Sequence, residues 1–261
     1  MTITFDPKHP LYTDEADVRD ELTRVYDACN GCRLCLTLCS SFPTLFSYVE
    51  QHEDQDAGRL TPAQQDQVAD ECFQCKLCYV NCPYIPEMHE SAIDFPRLML
   101  RHAAMRLENG QVSLRKRVAT QTLGHADALG VLATSVSTIS NLMIGAKPGS
   151  IARKLIEKTA GVSSVRLLPP YAKQRFSTWF SKRVAPVLTK KQGSVVVFPT
   201  CSVEYLQPGI GQDLVKVYER NGIECSLVDG TRCCGAPYLH SGDMGGFLKV
   251  AKKQVTLLAQ A

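Results

Sequence analysis

Several signatures of catalysis are missing from this 261-residue sequence. No G-x-G-x-x-G fingerprint follows a strand-like run, because Pro208-Gly209-Ile210-Gly211 precedes a helical pattern without completing it. There is also no P-loop and no His-Glu-x-x-His, so no flavin, nicotinamide or metalloprotease site is visible. The six histidines (His9, His52, His89, His102, His125, His240) are dispersed and read as surface or satisfied core residues. The amino terminus, Met1 to Pro10, lacks a basic n-region, an apolar h-region and a twin arginine, which predicts a cytoplasmic chain with reduced thiols. Residues 128–146 carry no charge, yet six of the nineteen are Ser, Thr or Asn and two are Gly, which argues against a transmembrane span.

What is present is an ordinary globular composition, 44% apolar and 21% charged, which excludes wholesale disorder, collagen and a multi-span membrane protein. The length favours two domains or more. The net charge of +3 hides an asymmetry: residues 1–90 hold 6 Lys/Arg against 16 Asp/Glu, and the remainder holds 23 against 10. The two parts therefore carry opposite fields and are expected to play different roles.

Local signals divide the chain further. A helix is expected from Thr13 or Asp14, with acids at its positive end and Val18, Leu22 and Val25 facing inward. Thr61-Pro62-Ala63-Gln64 reads as a capping box with proline in the first helical position, opening a helix that runs towards Cys72. Another helix is expected from Asp94 to Glu108, with Gly110 as its stop. Leu129, Leu132, Val136, Ile139 and Met143 form one apolar stripe, either packed on the protein itself or offered to a partner helix. From Lys147 to Lys191 there are eleven basic residues and one acid, Glu157, interleaved with Tyr171, Phe176, Trp179 and Phe180. That stretch is either a solvated basic face or a contact for anionic lipid or an acidic subunit; no nucleic-acid-binding motif accompanies it. Past Gly193, Ser194 to Phe198 reads as a continuous buried strand, Gln212 to Asn221 as a helix, Ile223 to Val228 as a second strand and Asp243 to Ala259 as a helix. This is the start of a βαβ unit with a small sheet. The expected fold class is α+β, in three parts: a mainly helical domain over 13–110, a basic helical connector over 111–192, and a short α/β module over 193–261.

Eight of the twelve cysteines form two runs with one grammar, Cys29-x2-Cys32-x2-Cys35-x3-Cys39 and Cys72-x2-Cys75-x2-Cys78-x3-Cys82-Pro83. Three thiolates at i, i+3 and i+6 wrap one corner of an iron–sulfur cube, while the fourth points away and serves the other cube. Cys29, Cys32, Cys35 and Cys82 are thus expected to hold one [4Fe–4S] cluster, and Cys72, Cys75, Cys78 and Cys39 the second. The competing reading is structural zinc, which fits this spacing poorly. Ser40 stands where a proline commonly follows the fourth cysteine. If its hydroxyl bonds to cluster sulfur, the cluster bound through Cys39 should have the higher potential; a solvent-facing serine is the alternative.

The two runs resemble bacterial-type dicluster ferredoxin modules. Cys201, followed after 31 residues by Cys233-Cys234-Gly235, resembles the opening half of a cysteine-rich CCG module. The combination resembles the iron–sulfur subunit of anaerobic glycerol-3-phosphate dehydrogenase and its relatives in glycolate and lactate oxidation and in heterodisulfide reductase. The similarity takes in Leu167 to Phe176. It implies a helical ferredoxin part and an α/β module behind it. Two features depart from that pattern: only 26 residues follow Gly235, none of them cysteine, so the module reads as truncated, and Cys201, Cys233 and Cys234 form at best a partial ligand set. Cys225 reads as a buried apolar thiol.

The expectation is a non-catalytic electron-transfer subunit of an oxidoreductase. Two [4Fe–4S] clusters would relay single electrons between a flavoprotein dehydrogenase, of glycerol-3-phosphate or hydroxyacid type, and a quinone-side or protein acceptor. The acidic part suits a basic partner, and the basic middle suits the inner face of the cell membrane or an acidic subunit. Three competitors remain: an electron donor to a di-iron peroxidase-type partner, an oxygen- or redox-sensing iron–sulfur protein, and a thiol–disulfide reductase using Cys233 and Cys234, whose adjacency suits a disulfide poorly.

Overall fold

The computed structural model describes residues 4–188, 190–231 and 233–261, without the side chains of Met143 and Ala160. The chain forms two compact units, Met1–Val112 with Tyr238–Met244, and Ser113–Pro237 with Gly245–Ala261.

In the first unit, α1 spans Glu15–Cys32. Asp14 caps it by accepting from the Asp17 amide at 2.9 Å, and Glu15 and Asp17 sit where the helix dipole favours negative charge. The expected stripe is buried: Val18, Leu22 and Val25 have no exposed surface, and Tyr26 joins them. Next come α2 (Ser41–Val49), whose Phe42, Leu45, Phe46 and Val49 face the same core, and a 3-10 turn at Ala57–Arg59. Helix α3 (Pro62–Asp70) opens with the expected reciprocal bonds between Thr61 and Gln64. Helix α4 (Leu77–Asn81) is short, and α5 (Phe95–Glu108) is capped by Asp94, followed by Gly110 at φ +72°. Burying each of these large apolar side chains is worth about 1.5–3 kcal/mol, so the core rests on three helix faces converging on α1. Arg101, fully buried on α5, donates to the carbonyls of Leu11 and Tyr12 and to Asp17, which pins the chain leading into α1.

The second unit contains α6 (Leu114–Gly124), α7 (Ala126–Ser135), α8 (Ser137–Ile144), α9 (Ile151–Ala160) and α10 (Phe176–Lys182). Strand β1 (Gly193–Val196) leads through a π-helical turn at Ser202–Leu206 and α11 (Pro208–Arg220) to β2 (Ile223–Ser226). The strands pair in parallel, Gly193 opposite Ile223 and Val196 opposite Ser226. Helix α12 (Ala236–His240) belongs to the first unit from Tyr238 on, and α13 (Met244–Ala259) belongs to the second from Gly245 on. Phe176, Val197, Val215 and Cys225 form this unit's core, with Trp179 and Phe180 packed against them. The α+β expectation therefore holds, with a sheet of only two strands among the described residues.

Two expectations are corrected. Strand β1 alternates rather than running buried, because Ser194 and Val196 are exposed: the described sheet has only α11, α10 and the π turn to pack on. The uncharged stripe is not one helix. The chain breaks between α7 and α8 at Val136, and Leu129, Leu132, Val136 and Ile139 are 40–63% exposed, so the stripe is only partly covered. The Met143 side chain lies outside the described atoms.

Candidate iron–sulfur centre and thiol pocket

The quartet cysteines sit at helix ends. Cys29 and Cys32 occupy the last turn of α1, which stops because Arg33 adopts a left-handed conformation (φ +56°) and returns its amide to the Cys29 carbonyl. Cys35 and Cys39 follow in the turn before α2, Cys72 and Cys75 lie between α3 and α4, Cys78 is within α4, and Cys82 ends it. Lys76, which follows Cys75 as Arg33 follows Cys32, adopts the same left-handed geometry (φ +62°). Arg33 and Lys76 thus share an uncommon conformation at equivalent motif positions, although Cys29 to Cys32 are helical and Cys72 to Cys75 are not.

The side chains come together across the two runs. Cys29, Cys32, Cys35 and Cys82 line one small cavity of about 30 Å³, walled by Phe42, Phe46 and Ile93. Burial pushes the Cys29 thiol far up, assisted by the neighbouring charges of Cys35, Cys82, Cys78 and Cys32. Burial likewise raises Cys35 to about 11, with Cys82, Cys32 and Cys39 adding to it. Burial raises Cys78 to about 12, with Cys35, Cys72, Cys39 and Cys75 around it. Cys72 is raised by burial and by Cys39 and Cys75, against the opposing pull of the Gln74 backbone amide. Such a crowd of sulfurs cannot ionise together in the free protein; it suits a cationic group that replaces their protons. Among the described residues, no three His, Cys, Asp or Glu side chains converge closely enough to hold a single metal ion.

Among the described residues, hydrogen bonds reach ligand-type sulfurs of the second run. The Tyr84 amide donates to Cys82 Sγ at 3.4 Å, and Gln74 Nε2 donates to Cys72 Sγ at 3.7 Å. Ser40 does not supply the bond expected of it: its hydroxyl lies 3.5 Å from the Glu71 carbonyl. Sequence reasoning misses Gln74, because nothing in the spacing distinguishes an x-position that turns back onto its own cysteine.

The second unit holds the remaining thiols. Cys201 and Cys233 stand 4.0 Å apart, Sγ to Sγ, Cys234 is exposed, and Cys225 is buried in the core as expected. Cys201 and Cys233 line a cavity of about 310 Å³ together with Asp127, Arg175, Glu204 and Tyr205. Asp127 accepts from the Cys233 amide at 2.7 Å and from the Tyr205 hydroxyl at 3.0 Å; Glu204 accepts from both the amide and the hydroxyl of Ser177. Burial raises Cys233 to about 11, the Gly235 amide opposing it. Gly235 has φ +86°, and a Cβ there would stand 3.2 Å from the Phe247 ring, so the glycine of the Cys-Cys-Gly triplet answers a backbone need. Gly130 admits the Tyr205 ring, which a Cβ would meet at 2.6 Å. Asp127 carries no local sequence signal, since its partner Cys233 is 106 residues away.

Comparison with known proteins places a 4Fe-4S dicluster domain over residues 28–85 and a cysteine-rich domain, CCG, over residues 195–261. The chain is 30% identical to a subunit of the anaerobic glycerol-3-phosphate dehydrogenase of Escherichia coli (strain K12) over 156 residues, 60% of this chain and 36% of that protein. It is 35% identical to "Lactate utilization protein A" of Shouchella clausii over 68 residues, 26% of this chain and 28% of that protein. It is 36% identical over 47 residues to a subunit of the fumarate reductase (CoM/CoB) of Methanothermobacter marburgensis, 18% of this chain and 10% of that protein. The chain therefore aligns with little more than a third of the length of the first of these relatives. No solved structure matches.

Proposed function

From a chain that joins a 4Fe-4S dicluster domain to a cysteine-rich CCG domain, with [4Fe–4S] clusters as its cofactors, we propose an electron-transfer subunit of an oxidoreductase. Bound clusters supply one-electron carriers, and the protein supplies their spacing, dryness and hydrogen bonds. Cys29, Cys32, Cys35 and Cys82 hold one cluster, and Cys72, Cys75, Cys78 and Cys39 the other. The observation that carries this assignment is that Cys82 lines the cavity of Cys29, Cys32 and Cys35; Cys39, a neighbour of Cys35 as well as of Cys72 and Cys78, is then left for the second set. Phe42, Phe46 and Ile93 wall the first site, and Tyr26, fully buried, lies near both Cys29 and Cys72. The organisation follows as a ferredoxin domain over 13–110, a basic connector over 111–192 and a CCG-type module over 193–261.

Electrons would pass between a flavoprotein dehydrogenase, of glycerol-3-phosphate or hydroxyacid type, and a quinone-side or protein acceptor. The substrate types follow the relatives, a subunit of a glycerol-3-phosphate dehydrogenase and a lactate utilization protein. The acidic first part favours a basic partner, and the basic stretch 147–191 favours an anionic membrane surface on the cytoplasmic side.

Anaerobic preparation, iron and sulfide analysis, and EPR of the reduced chain test the reading, with about eight iron and eight sulfide expected for two cubes. Cys82→Ser should remove the cluster of the Cys29 segment and spare that of the Cys72 segment; Cys39→Ser should do the reverse. Loss of the cluster belonging to the mutated segment's own run would overturn the exchange.

A further inference from the structure

The two loops differ at one position that bears on redox chemistry. Two residues after the first cysteine, the first run has Gly31 and the second has Gln74. Gln74 adopts φ +55°, a conformation its side chain disfavours and glycine would hold freely. The strained backbone turns the amide inward. Nε2 lies 3.7 Å from Cys72 Sγ and 3.2 Å from the Pro96 carbonyl, while Oε1 is buried with no hydrogen-bond partner. An amide held against its backbone preference, with its acceptor orphaned and both donors spent, is arranged for donation. A thiol sulfur is a weak acceptor, whereas a thiolate ligand draws a charge-assisted bond. The donor at Cys82 is a backbone amide, that of Tyr84, whereas Cys72 is met by the side-chain amide of Gln74.

We propose that Gln74 is a positioning residue that raises the potential of the cluster held through Cys72 above that of its neighbour, by donating its side-chain N–H to the Cys72 sulfur. The inference rests on the ligand assignment above. A donor stabilises whichever state puts more charge on sulfur, and that is the reduced state, so the step served by Gln74 moves upward. Ser40, whose hydroxyl goes to Glu71, has no part in it.

The test uses the iron-loaded full chain and EPR-monitored redox titration of both steps. Gln74→Leu should lower one step by about tenfold in its reduction equilibrium, about 59 mV for one electron, and leave the other in place. Gln74→Gly should give the same drop although it relieves the backbone, and Gln74→Glu, which places an acceptor-only carboxylate beside sulfur, a larger one. Wild-type protein labelled with 15N in its glutamine amides should show a nitrogen coupling at one reduced cluster. Unmoved potentials, equal movement of both steps, or no such coupling overturns the proposal while an iron content near eight leaves the ligand reading standing. An iron-free preparation under strictly anaerobic conditions overturns the ligand reading and the proposal with it.

Discussion

His102 on α5 is 2% exposed, and its imidazole meets Asp66 of α3 at 2.8 Å. Arg19 of α1 and Arg106 of α5 close the cluster on Asp66, and Arg106 also reaches Asp70. Burial alone would raise the Asp66 carboxyl, but hydrogen bonds from His102 and Arg19 outweigh it and hold it at about 2. His102 is lowered, first by burial and then by Arg19 and Arg106, against the opposing pull of Asp66. The fold thus prefers neutral His102. A depressed histidine contributes its full stability above the unfolded value of about 6.5 and loses it as pH falls through the folded value. Asp66 stays ionised across the window from pH 8 to 5, so histidine is the member of the cluster that titrates there. Urea unfolding midpoints of the iron-loaded protein should fall between pH 7 and pH 5, by less than the limit of about 1.4 kcal/mol per pH unit for one proton. His102→Gln should flatten that decline. A variant that declines as steeply as the parent would remove His102 from the account.

At the scale of elements, what was legible in the sequence is what neighbours in sequence decide. The Asp14 and Asp94 caps, the Thr61–Gln64 box and the Gly110 stop are contacts within four residues, and each element they bound appears where expected. The cysteine grammar is equally local, so the quartets stood out. The break at Val136 and the alternation of β1 were not legible, because periodicity shows that a face is apolar and not what covers it. The joining of Asp127 to Cys233 is a tertiary event with no local trace. Helix α9 poses the same question of cover. Ile151 and Leu155, one turn apart, are 88% and 61% exposed, and Lys154 and Lys158 stand beside them. Such a face binds anionic lipid through combined apolar burial and charge. Vesicles containing a third phosphatidylserine should retain the protein at low ionic strength and release most of it at about 0.5 M salt, as screening shortens the reach of each charge. Leu155→Glu should weaken retention about tenfold, a loss of about 1.4 kcal/mol. Retention that ignores both salt and the substitution would assign the face elsewhere.

For the whole molecule, all eight quartet cysteines lie in the first unit, and the chain's single tryptophan, Trp179, lies in the second. This gives each unit its own reporter. On the proposed ligand exchange, bound clusters would tie the end of α1 to α4 and the turn before α2 to the loop after α3, and their binding free energy would add to the folding free energy of the first unit. Without them the raised thiols carry protons and the crosslinks vanish, leaving only the core around Leu22, Phe42 and Leu98. Trp179 packs in a separate core with Phe176 and Phe180, to which the quartets contribute nothing. Stripping iron with an anaerobic chelator should therefore lower the denaturation midpoint of the first unit, followed by amide hydrogen exchange along helices α1 and α5. The Trp179 fluorescence transition should stay within about 0.5 kcal/mol of its value in the loaded protein. If the tryptophan transition shifted as far as the helical one, the clusters would be supporting both cores, and the stabilisation could no longer be assigned to the crosslinks between α1, α4 and the two loops.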